Sequence, residues 1–265
     1  MNPVDPVVLR VRFGLTPLER IRPWSAERPV PHWFGLTDGW YCLDLGGHEL
    51  LRYSERTVGE LRGGSEGGPP HPYVDYYVVR LWEDLLALVS GALEPVPQDL
   101  VAVAATLSPA WEWRDTPEAE VALDWHGAGH LYTGYLRVAP DIRCWRTVVG
   151  TDDTVTMAWE HQRDPEGVIE FAGPPKGRVT LPTGEFLAAV TELDRALLAA
   201  MDRRIDALEE SGPGHGAETD VAALRREHRD RATWLRRARE HERRTDWDAV
   251  RTGVRQLLTP GLSDN

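Results

Sequence analysis

Two cysteines, one lysine and no apolar run of membrane length are the scarcities of this 265-residue chain, and each excludes something. Cys42 and Cys144 are too few for a disulfide framework and too far apart to seed a structural zinc site. They read as buried, reduced and inert, and no metal is expected. No window approaches the ~18 apolar residues of a membrane span, and MNPVDPVVLRVRF lacks the basic-then-apolar order of a signal peptide. A cytoplasmic protein with no membrane partner is expected. Lys176 is the single lysine among 30 basic residues, which points to a coding bias toward high GC content rather than to a mechanism.

Catalytic motifs are missing too. No serine sits in a G-x-S-x-G setting, and neither cysteine has an activating context. LGGHEL and GGSEGGPP are glycine-rich, but they lack the strand-to-helix setting of a phosphate or dinucleotide loop. No cofactor is therefore expected, and whether the chain is an enzyme stays open. A net charge of −12 argues against a nucleic-acid partner, because phosphate contacts need a concentrated basic surface.

What the chain does have is an ordinary globular share of hydrophobic residues, 42%, and eleven tryptophans, nine of them before residue 160. The N-terminal two-thirds must hold large aromatic contacts, in a core or on a recognition surface. VVLRVRF, residues 7 to 13, alternates as a half-buried strand. HWFGLTDGWYCLDLGGHELLRY, 32 to 53, reads as short strands turning at Asp38-Gly39 and Gly46-Gly47, anchored by Trp33 and Trp40. Residues 61 to 72 are dense enough in glycine and proline for an exposed loop. A helix buried over most of its circumference is predicted over 73 to 93.

From Ala119 to Leu181 the spacing predicts a meander of about five strands, AEVALDWH, HLYTGYLRV, IRCWRTVV, TVTMAWE and RVTL. Thr183 can cap a helix to about Glu210 whose stripe of Phe186, Val190, Leu193, Leu197, Met201, Ile205 and Leu208 must be buried. A long charged helix and a last short one, begun by Asp246 or Thr245, close the chain. The expected architecture is α+β: a central antiparallel sheet packed by helices, with a C-terminal helical hairpin. Residues 1–210 form the body, and 219–258 form a charged helical segment packed on it or appended to it. That segment carries eleven arginines against seven acids, about +4, while the rest of the chain carries about −16. Two readings follow: a solvated face with intrahelical pairs such as Glu227 with Arg231, or a docking surface for an acidic partner or for the protein's own acidic body.

Candidate chemistry is thin. Asp124, His126 and His130 in EVALDWHGAGHLY could share one face of a hairpin and pass a proton, although two glycines disfavour the helical His-x-x-x-His geometry of a metal site. His48 and Glu49, with Asp38 and Asp44 nearby, could do acid–base work only if the fold brings them together, since neighbours on a strand face opposite ways. Trp111 and Trp113 recur on one face of PAWEWRD and, with Trp33 and Trp40, are the candidates for stacking a ligand or anchoring a partner.

The segment HWFGLTDGWYCLDLGGHELLRY, together with TGYLRVAPDIRCW, RVTLPTGEFLAAV, REHRDRATWL and DWDAVR, resembles an uncharacterised family of high-GC Gram-positive bacteria, classed as a domain of unknown function. The resemblance covers nearly the whole chain. It implies that body and C-terminal helices belong together, and it brings no activity and no catalytic residue. The leading expectation is a protein-interaction module, an immunity-type or regulatory binder, which requires exposed tryptophans among carboxylates. The alternative is a small-molecule enzyme or ligand binder with a pocket between sheet and helices, drawing on Asp38, His48, Glu49, Asp124, His126 and Glu160.

Overall fold

The computed structural model describes residues 9–21, 31–63, 71–211, 220–241 and 243–258. Strand β1 (Leu9–Leu15) forms where the alternation predicts and pairs antiparallel with β2 (Asp38–Leu45), Leu9 opposite Leu45. β2 folds back into β3 (His48–Leu50) through Gly46 and Gly47, both left-handed at φ 59° and 84°, a pair whose twist matches that of the strands it joins. Asp38-Gly39, by contrast, is no turn. A 3-10 turn occupies Gly35–Thr37, and β2 starts at Asp38. Gly39 is needed for close approach, because a Cβ there would fall 2.1 Å from the Gly14 carbonyl oxygen.

Helix α1 (Glu55–Arg62) was not foreseen; Ser54 caps it, its Oγ accepting from the Thr57 amide at 3.3 Å. The loop expected over 61 to 72 therefore opens inside a helix, and residues 64 to 70 lie outside the described residues. β4 (Val74–Tyr77) joins β2 on the same edge as β3, so the helix expected from residue 73 begins only at Val78. That helix, α2 (Val78–Ala92), buries Val78, Val79, Leu81, Trp82, Leu85, Leu86, Leu88 and Val89.

Short α3 (Val101–Ala104) and α4 (Pro117–Ala128) follow. α4 corrects the reading of AEVALDWH as a strand. Its alternating Ala119, Val121, Leu123 and Trp125 mimic period 2, but the buried set is Ala119, Ala122, Trp125 and His126, a helical stripe. The start signals were present: Thr116 accepts from the Ala119 amide, Pro117 holds the first helical position, and Glu118 and Glu120 lie in the first turn. The second sheet runs β5 (His130–Leu131), β6 (Pro140–Val149), β7 (Asp152–His161) and β8 (Lys176–Pro182), antiparallel in that order.

Helix α5 (Thr183–Ser211) buries every residue of its predicted stripe. α6 (Val221–Arg231) and α7 (Trp234–Glu240) divide the expected single charged helix at Ala232 and Thr233, and α8 (Trp247–Leu258) starts behind Asp246, which accepts from the Ala249 amide. The fold is α+β, with two antiparallel sheets and packed C-terminal helices. The main core joins both sheets through α2 and α5. A second, smaller core holds Ala119, Ala122 and Trp125 of α4 and Val250, Val254 and Leu257 of α8 against Trp145 and Ala158 of the second sheet.

The charged segment turns some of its arginines toward the body, while others, such as Arg236 with Glu240 and Arg237 with Asp230, pair within the segment. α6 packs on α5, α7 on α2 and α8 on α4. Arg225 pairs with Asp202 at 2.7 Å and also with Asp206 and Glu209, while Arg251 pairs with Asp99 at 2.7 Å. Arg231 is buried between Trp33 and Trp234, its guanidinium 4.4 and 4.6 Å from their ring centres, and pairs with Glu83 at 2.8 Å and Glu227 at 2.9 Å. The intrahelical pair and the acidic body thus share one arginine.

Candidate functional site

The residues singled out by chemistry are dispersed. Glu49 accepts hydrogen bonds from Arg12, from Arg52 at 2.6 Å and from the Tyr73 hydroxyl at 3.1 Å. Burial works against its charge, but the bonds from Arg52, Arg12 and Tyr73 outweigh it and hold the carboxyl below the usual range. It ties the outer face of the first sheet together. His48 is exposed beside Trp159, ring centres 5.4 Å apart, and Asp38 stands at the start of β2. Asp124 is exposed on α4 and Glu160 is exposed on β7. None of Asp38, His48, Glu49, Asp124, His126 and Glu160 lines a described cleft, and among the described residues no group of three His, Cys, Asp or Glu is arranged to hold a metal ion.

His126 sits on a helix, buried, and not on a strand beside Asp124. Its Nε2 lies 3.1 Å from the Thr106 carbonyl and its Nδ1 lies 3.0 Å from Arg143 Nη1. Only the neutral ring protonated at Nε2 satisfies both contacts, because Arg143 can only donate. Burial, reinforced by the Arg143 charge, lowers its pKa to about 4. His126 is therefore a neutral structural bridge between α4, β6 and the segment after α3. His130 separates from it, lying on β5 with Nε2 3.7 Å from Asp141 Oδ1.

The tryptophans divide as sharply. Trp33 is core, its Nε1 donating to His228 Nδ1 at 3.3 Å. Trp40 is half-buried, stacked on Tyr73 with ring centres 4.9 Å apart, and it covers Gly14, where a Cβ would fall 2.5 Å from its Nε1. Trp111 and Trp113 do not share a face. The stretch between α3 and α4 pairs with no strand; it is strapped to α8 by the Glu112 amide bond to the Leu257 carbonyl at 2.9 Å and by Thr116 bonded to Gln256. Trp111 turns inward with its ring edge-on to His126, centres 4.5 Å apart. Trp113 turns outward and is 75% exposed.

Leu258, 51% exposed at the end of α8, stands next to Leu257, the residue that holds Glu112. Glu112, paired with Arg114 at 2.9 Å, and Asp115 lie exposed along the same stretch, and Glu120 is exposed in the first turn of α4. Arg143 and His126 are buried and the half-buried Trp111 lies edge-on to His126, while Trp113, two residues on, faces outward between Glu112 and Asp115. Sequence reasoning marked Trp113 but missed Leu258 and Arg143; no local pattern separates the buried Arg143 from the half-buried Arg146 of the same strand.

Two adjoining clefts lie elsewhere, of ≈ 330 Å³ beside His130, Tyr132 and Asp141 and ≈ 500 Å³ beside Arg56, His161 and Phe171. They meet at Gln162 and Arg163, which line both. Among the described residues no helix is long and apolar enough to cross a membrane. No curated protein and no solved structure matches this chain. A family model does match, over residues 10–253, which is most of the chain, and the protein belongs to that family of unknown function, DUF5984.

Proposed function

We propose that this chain is a protein-interaction module, a regulatory or immunity-type binder, that captures a basic partner through Trp113. The observation that carries the reading is a tryptophan 75% exposed on a stretch strapped to α8 at Glu112 and Thr116, between the exposed carboxylates of Glu112 and Asp115. Aromatic anchors of this kind, rimmed by charge, are where binding energy concentrates. Rigid support lowers the ordering cost of docking. The net charge of −12 favours a basic protein over a nucleic acid. Two buried thiols free of any disulfide suit the cytoplasm, and the arginine-for-lysine composition suits a high-GC Gram-positive source.

The test is quantitative capture of partners from the native host with the wild-type chain and Trp113→Ala side by side. The expected result is a basic protein held by the wild type and lost by the variant, whose thermal midpoint is unchanged. Equal recovery by both chains refutes the reading.

One observation favours a second reading, a small-molecule binder: the two clefts that join at Gln162 and Arg163, with His130 and Asp141 in one wall. A small molecule that raises the thermal midpoint of the wild type but not of Arg163→Gln would move the function there.

A further inference from the structure

We infer a binding site for one small inorganic anion of halide size, in the cleft between the C-terminal end of α2, the α4–β5 junction and the approach to α8. Arg143 lines it and is only 3% exposed. Its Nε donates to the Ala104 carbonyl at 2.9 Å, its Nη2 donates to the His126 carbonyl at 2.8 Å, and its Nη1 meets the neutral His126 ring at 3.0 Å. These partners are all uncharged, and one N–H on each terminal nitrogen is left over. Among the described residues no carboxylate balances this buried guanidinium, a costly arrangement because its desolvation is met by dipoles alone.

A second arginine lines the same cleft. Arg243 is half-buried and makes no ion pair among the described residues. Both arginines approach the same glycine floor: a Cβ at Gly129 would lie 3.1 Å from Arg143 Nη2, and one at Gly91 would lie 3.5 Å from Arg243 Nη1. Glu94, the carboxylate in the cleft, is committed elsewhere, accepting from the Thr245 amide at 3.0 Å and its hydroxyl at 2.6 Å. The space for the centre of a water-sized guest is ≈ 20 Å³, against roughly 10–15 Å³ for one water. A single halide fits; a phosphate does not.

The full chain is unfolded by heat at constant ionic strength in sodium chloride, sodium bromide or sodium gluconate, the last anion being too large to enter. A site produces a Tm rise that saturates with halide and is absent in gluconate. Arg243→Gln, which leaves the buried Arg143 contacts in place, moves the midpoint of that rise to halide concentrations higher by about tenfold or more. Crystals grown in bromide show an anomalous peak between the two guanidinium groups. A Tm that follows ionic strength alone, or no bromide peak beside Arg143, overturns the proposal and leaves water in the cleft. If Arg243→Gln does not fold, the bromide peak in wild-type crystals decides.

Discussion

His126 shows how one buried side chain converts composition into pH dependence. Its ring is neutral in the fold, with a pKa of about 4 against 6.5 when free. Well above pH 6.5 neither state binds the proton and the full contribution is present; as pH falls through 6.5 the unfolded chain protonates first, and stability is lost progressively down to about 4. The gap corresponds to about 3 kcal/mol. His126→Asn removes the titrating ring, so its urea-unfolding free energy declines less between pH 7 and pH 4 than that of the wild type. Parallel declines would show that the ring titrates alike in both states. Trp111, which packs on it, and the outward Trp113 separate folding from display: Trp111→Ala removes the ring against His126 and costs about 2 kcal/mol or more, whereas Trp113→Ala stays within about 0.5 kcal/mol by the same denaturation assay.

Among the elements, the crossing of α4 and α8 is the tightest. A Cβ at Gly253 would lie 1.9 Å from the Glu118 carbonyl and 2.8 Å from the Ala122 Cβ, so the two backbones touch because the residue has no side chain. Gly253→Ala must push the helices apart and is expected to cost about 3 kcal/mol, with faster hydrogen exchange over residues 117–128 and 247–258. Gly184, in the first turn of α5, has open space where its Cβ would be, and Gly184→Ala is expected to stabilise by about 0.5 kcal/mol. Similar losses at the two positions would contradict the packing described. The same crossing carries Leu257 and Thr116, so its loosening should also release the stretch that presents Trp113.

The molecule as a whole rests on a core shared by both sheets, and its two thiols can report on it. Cys42 lies in the first sheet and Cys144 in the second, both buried. Burial pushes the Cys42 thiol up to about 11 and the Cys144 thiol up to about 12. Because α2 and α5 pack against both sheets, the sheets should open together. A thiol reagent at pH 8 is expected to label neither cysteine in the native protein and both at one rate under mild denaturant. Two distinct rates would mean that the sheets open separately.

Much of the fold was legible because burial is periodic. The α5 stripe, the Gly46-Gly47 turn, the β6–β7–β8 run and the strand of Leu9 to Phe13 follow from spacing and turn chemistry alone, which are local properties. α4 was misread because a short apolar stretch satisfies both periods, and what decides between them is the partner it packs on: Gly253 and Val250, more than a hundred residues away. The candidate site was legible only as a list of tryptophans. Composition determined that large aromatic contacts must exist and that the chain is acidic; tertiary structure alone decided that Trp33 is core, that Trp113 is outward, and that Arg143 is buried with no carboxylate partner among the described residues. Exposure and charge balance depend on which distant segments cover a side chain, and a linear pattern does not contain that information.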